Sequence, residues 1–157
     1  MNRTKKLTFC ALFAALIFVA TFFIRIPIAI GYVNAGDGLI ILTGAFLGGI
    51  PGAIAGALGS ALADLISGYV VYAPVTALIK GLMGFLAGVF LYKRERKTLR
   101  TATVSLLCGL LMVPGYFVFE CIIYTPAAAI LSVVPNIAQA LFGIAIAVLG
   151  SKLKLFK

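Results

Sequence analysis

The chain is a series of long apolar stretches separated by a few short polar breaks. Uncharged or nearly uncharged runs begin near residues 7, 38, 74, 101 and 133, and each is long enough for an α-helix to cross a hydrocarbon layer of about 30 Å. The first run ends at Arg25 and Pro27. The second, 38–63, has room for one long helix or for two shorter ones folded at Gly48-Gly49-Ile50-Pro51-Gly52, where glycine and proline together signal a turn.

Charge placement decides between these readings. Of the 13 basic residues, eleven fall in three clusters: Arg3, Lys5 and Lys6; Lys93, Arg94, Arg96, Lys97 and Arg100; Lys152, Lys154 and Lys157. Basic loops stay on the cytoplasmic side, so an even number of crossings must separate each pair of clusters. That condition requires the turn at Pro51. The pattern predicts an all-α membrane protein, a six-transmembrane-helix bundle with both termini cytoplasmic, forming a single domain over 1–157. The helices fall at about 7–25, 37–50, 52–68, 74–92, 101–121 and 133–150. The outward connections are 25–36, 69–73 and 122–132, the first a structured loop able to fold over the outer mouth. Pro114-Gly115 is expected to kink the fifth helix.

Composition agrees and removes other classes. The 157 residues are 63% apolar and 11% charged, with a mean hydropathy of +1.19, whereas a soluble domain carries about 25% charged residues. The net charge of +9 would suggest nucleic acid in a soluble chain, but its placement beside the spans assigns it to topology, with lipid as the partner and no nucleic acid. The first run lacks a small-residue cleavage site and reads as a retained span. There is no His, and Cys10, Cys108 and Cys121 are far apart in apolar sequence, so neither a metal nor another cofactor is expected. Lys80-Gly81 lacks the preceding glycine pattern of a phosphate-binding loop, so the chain does not hydrolyse a nucleotide by itself.

The few polar residues inside apolar sequence are the sharpest signal. An ionisable group within a span costs several kcal/mol unless it is paired or faces water, and there are three: Asp64, Lys80 and Glu120. Counting from the helix ends at Gly68 and Pro74, Asp64 and Lys80 lie roughly 6 and 9 Å below the outer face at 1.5 Å per residue. At that shared depth they either pair with each other, joining two helices, or face a ligand. Tyr32, Tyr69, Tyr72, Tyr116 and Tyr124 fall at the same level, as do Asn34, Asp37, Thr76, Asn136 and Gln139. Arg25 reads as an interface anchor. The inner half offers almost nothing polar. The asymmetry describes an outer pocket closed below, suited to a flat heteroaromatic solute that stacks on tyrosines and hydrogen-bonds through its ring nitrogens and hydroxyls.

The blocks Tyr32-Val-Asn34-Ala-Gly36-Asp37 and Asp64-Leu-Ile-Ser-Gly68-Tyr69-Val-Val-Tyr72-Ala-Pro74-Val-Thr76, followed by Lys80-Gly81, resemble the substrate-binding (S) components of energy-coupling factor (ECF) vitamin importers. The similarity covers nearly the whole chain and points to the branch for hydroxymethylpyrimidine, pyridoxine or riboflavin. It implies a binding subunit, not an enzyme, that captures the vitamin at the outer side, with hydroxymethylpyrimidine or pyridoxine ahead of riboflavin. Uptake would be driven by a coupling module of one transmembrane coupling protein and two cytoplasmic ATPases, and the S component would topple in the membrane to carry its site inward. Docking through an Ala-x-x-x-Ala pattern on the first helix is matched by Ala11 and Ala15. The expected substrate-binding set is Asn34, Asp37, Asp64, Tyr69, Tyr72, Thr76, Lys80, Glu120, Tyr124, Asn136 and Gln139. Two other classes compete: a self-sufficient facilitator or channel, and an intramembrane enzyme built on Ser60 or Ser67 beside Lys80. The latter requires a neutral lysine, which a carboxylate at matching depth opposes.

Overall fold

The computed structural model describes residues 2–95 and 97–153; Arg96, Lys154 and Lys157 of the basic clusters lie outside the described residues. Six helices follow in order: α1 (Arg3–Phe23), α2 (Gly36–Leu47), α3 (Gly49–Ile66), α4 (Ala73–Leu91), α5 (Thr98–Ile123) and α6 (Pro126–Ser151). Two short strands, β1 (Arg25–Pro27) and β2 (Tyr32–Asn34), pair antiparallel between α1 and α2, with Ile26 opposite Val33. The loop expected at 25–36 is therefore a β-hairpin. Its ends are fixed by backbone bonds from Ile28 N to Gly31 O (3.2 Å) and from Ala35 N to Ile24 O (3.2 Å).

The break near Pro51 exists and is made by Gly48, whose φ of +99° is a conformation that residues with a Cβ rarely adopt. It separates α2 from α3 and lets them fold back on each other. Five of the helices are long and apolar enough to cross a membrane, and α2, with 12 residues, is shorter. At 1.5 Å per residue α2 spans only about 18 Å. Eleven of its residues are buried, so α2 is the central element that the others surround, packed on α1, α3, α4 and α6.

Two predicted boundaries move. The connection expected at 122–132 shrinks to Tyr124 and Thr125, because α6 starts at Pro126 rather than near 133. The Thr125 hydroxyl accepts from Ala128 N at 3.2 Å and Pro126 occupies the first turn, where a missing N–H leaves no bond unmade. Pro135 is then interior to the helix. Likewise α5 begins at Thr98, inside the basic segment, and continues as one helix through Pro114.

The bundle is apolar outside and partly polar inside. Ile130, Leu131, Val134, Ile137 and Leu141 of α6 are exposed, while Ser132, Asn136 and Gln139 of the same helix are buried. In water this arrangement would be inverted; in lipid it satisfies both solvents. The apolar core of Phe13, Ile17, Ile41, Leu47, Met83, Ala87, Leu91 and Cys108 fills the half remote from the hairpin.

Candidate functional site

At the hairpin end, all six helices or their connections contribute to the surroundings of one small cavity of about 30 Å³. The hairpin supplies Ile28, Ile30, Gly31, Tyr32 and Asn34, and the α3–α4 turn supplies Tyr69 and Tyr72. Between them stand Thr21 of α1, Ser60 and Asp64 of α3, Thr76 and Lys80 of α4, Tyr116 and Glu120 of α5, and Asn136 and Gln139 of α6.

The floor is a buried charge network. The Lys80 ammonium donates to Asp37 Oδ1, with both side chains 2% exposed. It also lies 3.0 Å from Met112 Sδ and 5.5 Å from the Tyr116 ring centroid. Gln139 joins floor to hairpin: its Nε2 donates to Asp37 Oδ2 at 2.8 Å, and its Oε1 accepts from Asn34 N at 2.7 Å. An ammonium has three N–H donors, so Lys80 retains a donor on the cavity wall beyond those given to Asp37 and Met112.

The rim is aromatic. Tyr32 and Tyr69 have ring centroids 5.0 Å apart, Tyr69 and Tyr72 6.1 Å, and Tyr72 and Phe119 5.3 Å. Each phenol is anchored: Tyr32 donates to Asp64 Oδ1, Tyr69 to Gly31 O at 3.5 Å, and Tyr72 to Glu120 Oε1 at 3.3 Å. Tyr116 and Thr76 share a hydrogen bond of 3.0 Å, and Ser132 donates to the other Glu120 oxygen. Burial, reinforced by the charges of Asp64 and Glu120 respectively, pushes the Tyr32 and Tyr72 phenols above the ordinary tyrosine range. They therefore remain neutral donors toward those carboxylates. Arg25 bonds Ser67 at the end of α3, 4.9 Å from the Phe22 ring centroid and 5.7 Å from that of Tyr32. It fastens the hairpin to α3.

Of the sequence-predicted residues, Asn34, Asp64, Tyr69, Tyr72, Thr76, Lys80, Glu120, Asn136 and Gln139 meet on the cavity wall. Asp37 stands behind Lys80 instead of on the wall. Tyr124 is 50% exposed, is not on the cavity wall and bonds the Tyr72 hydroxyl. Ala11 and Ala15 are on the exposed face of α1, remote from the cavity. The Asp64–Lys80 pair considered from depth alone does not form: Lys80 turns to Asp37 and Asp64 to Tyr32. Equal depth brought Asp64 and Lys80 to one layer, but α2 inserts its own carboxylate there. The predicted set omits Thr21, Ser60, Tyr32 and Tyr116, which also line the wall. Tyr116 and Tyr32 carried a signal in their depth and Ser60 in its nearness to Lys80, while Thr21, a small hydroxyl in an apolar helix, carried none.

The fold and this geometry can be set beside known proteins. The family model of the ECF-type riboflavin transporter S component matches residues 1–153. An uncharacterized protein of Pyrococcus woesei is 39% identical over 130 residues, covering 82% of this chain and 86% of that protein. The crystal structure of FolT bound with folic acid superposes with a TM-score of 0.77 over 97% of this chain and 92% of the other, at 20% identity. That likeness shows a shared fold. With the family model spanning all but the last few residues, the chain belongs to the ECF-type riboflavin transporter S-component family, membrane-embedded vitamin-binding subunits of transporters and not enzymes.

Proposed function

We propose that this subunit captures a small heteroaromatic vitamin or precursor from outside the cell, with a single-ring pyrimidine or pyridine ahead of riboflavin. The observation that carries the reading is the small cavity at the hairpin end, bordered by an ammonium, two carboxylates and four phenols. Its volume of about 30 Å³ is far below the roughly 300–1,000 Å³ of sites for drug-sized ligands, so even a single ring must displace the rim and a three-ring flavin must displace much more. The hairpin and the Tyr69–Tyr72 turn, which form the rim as connections between helices, are the elements that would move. Riboflavin remains the second reading, because the matching family model carries its name.

In this reading the hairpin end faces outward and both termini are cytoplasmic, in accord with the positive-inside rule. The ligand set is the predicted one: Asn34, Asp64, Tyr69, Tyr72, Thr76, Lys80, Glu120, Asn136 and Gln139 at the wall, with Asp37 positioning Lys80 and Tyr124 bracing Tyr72. Energy comes from a separate module of one transmembrane coupling protein and two ATPases, docked on the α1 face that exposes Ala11 and Ala15.

The test is mass spectrometry of small molecules released from the protein purified alone in mild detergent, followed by calorimetry with hydroxymethylpyrimidine, pyridoxine and riboflavin. A stoichiometric vitamin supports capture and names the substrate. An empty preparation that also binds none of the three overturns it. Vitamin flux into vesicles containing this chain alone would instead establish the facilitator.

A further inference from the structure

Three residues that line the cavity each have a buried side-chain oxygen without a hydrogen-bond partner: Thr21 Oγ1, Ser60 Oγ and Asp64 Oδ2. These residues are only 2%, 1% and 4% exposed. A buried polar atom left unpaired is costly and rare, and among the described residues one other such side-chain atom exists, Thr101 Oγ1 in the first turn of α5. It does not border the cavity. The unsatisfied polarity is therefore concentrated on the wall made by α1 and α3.

That wall is preorganised. Alpha carbons of α1 and α3 approach closely, so that a Cβ at Gly59, next to Ser60, would come within 2.5 Å of the Ala14 carbonyl oxygen. Tyr32 holds Asp64 Oδ1, and Thr76 is the one other hydroxyl that interacts with this carboxylate, without giving Oδ2 a hydrogen bond of good geometry. Thr76, a close neighbour of that carboxylate, shares its hydroxyl with Tyr116 at 3.0 Å.

Resting on the vitamin-capture reading above, we propose that the α1–α3 wall binds the hydrogen-bond-donating edge of the ligand. An N–H or O–H of the ring substituents donates to Asp64 Oδ2, and the Ser60 and Thr21 hydroxyls pair with the polar atoms beside it. The α4 wall has the opposite polarity: Lys80 has only donors and takes a ring nitrogen or carbonyl oxygen. The site thus orients a flat ring by reading donors on one edge and acceptors on the other. Ser60 and Thr21 become specificity-determining residues. An amino or hydroxyl group on a pyrimidine or pyridine meets this requirement, and so does the imide N–H of a flavin.

The experiment uses the full chain in detergent and the isosteric variants Ser60→Ala and Thr21→Val, titrated with hydroxymethylpyrimidine, pyridoxine and riboflavin. Each probe is run beside a donor-masked partner: the desamino pyrimidine, the 3-methyl ether of pyridoxine and the N-methyl imide of riboflavin. Because neither hydroxyl has a bond to lose, both ligand-free variants should unfold at the wild-type temperature or above it. Each should nevertheless bind the vitamin about 3- to 10-fold more weakly, the loss of one hydrogen bond, and masking should weaken wild-type binding by at least a similar factor. Unchanged affinity in both variants, or equal wild-type affinity for a vitamin and its masked partner, overturns this assignment while the capture reading stands. A wild-type protein that binds none of the probes overturns both.

Discussion

The two halves of the bundle interior are built from the same helices on different physical terms. At the hairpin end, Asp37, Asp64, Thr76, Lys80, Tyr116, Glu120 and Gln139 fill the space between α2, α3, α4, α5 and α6 with hydrogen bonds and leave a cavity. In the remote half, α2, α3 and α4 touch through glycine backbone. A Cβ on Gly84 would overlap the Gly52 carbonyl, and one on Gly88 would overlap the amide of Gly49. In lipid, helices gain nothing from burying apolar side chains against each other, so close backbone packing must hold that half together. The comparison teaches that α4 has a division of labour along its length: Thr76 and Lys80 serve the site, while Gly84 and Gly88 hold the scaffold.

The largest effect should come from the polar half. Lys80→Met strands the Asp37 carboxylate in a buried layer and should cost about 3–5 kcal/mol of stability, whereas the double variant with Asp37→Asn should recover most of it. Thermal unfolding in detergent measures both; equal stability of the single and double variants would show that the pair is not the keystone of that half. Next is the scaffold. Gly84→Val should cost about 1–3 kcal/mol through overpacking and leave vitamin affinity of the folded fraction unchanged, which calorimetry checks. A change in affinity there would join the two halves.

A smaller effect separates the rim from exposed tyrosines. Burial raises the Tyr32 and Tyr72 phenols above the ordinary tyrosine pKa of about 10, so the stability from keeping them neutral is complete below that pH. It is lost only as the pH rises beyond it and unfolding begins to release their protons. Absorbance at 295 nm should therefore show no phenolate from these two just above the ordinary tyrosine range. Tyr32→Phe and Tyr72→Phe would leave the folded-state titration there unchanged. Smallest in stability, within about 0.5 kcal/mol, should be Ala11→Leu with Ala15→Leu, because both alanines are exposed on α1. With the coupling module present, uptake should be lost while vitamin binding is kept. Normal uptake would move the docking surface elsewhere.

Much of this was legible one residue at a time. The glycine-proline cluster and the three basic patches required a break near Pro51, and Gly48 supplies it. The depth of Lys80, Asp64 and Glu120 in otherwise apolar helices marked the layer where the cavity lies, because lipid makes every unexplained charge conspicuous. The start of α6 was misread because Pro126 and Pro135 compete as boundary signals, and only the Thr125 cap resolves them. The hairpin strands were not foreseen, being three residues each and too short for a periodic pattern.

The sequence by itself determined the solvent of this protein, the number of its helices and the layer in which its polar groups gather, since each follows from transfer energies summed along the chain. Only the tertiary structure decided the partners. Lys80 meets Asp37 across 43 positions, and Gln139 meets Asn34 across 105. Thr21, Ser60 and Asp64, each with an unpaired buried oxygen, line the same cavity. Such pairings depend on how helices rotate and cross, which is set by backbone contact at the glycines and by the burial of α2, and no local pattern of residues encodes them.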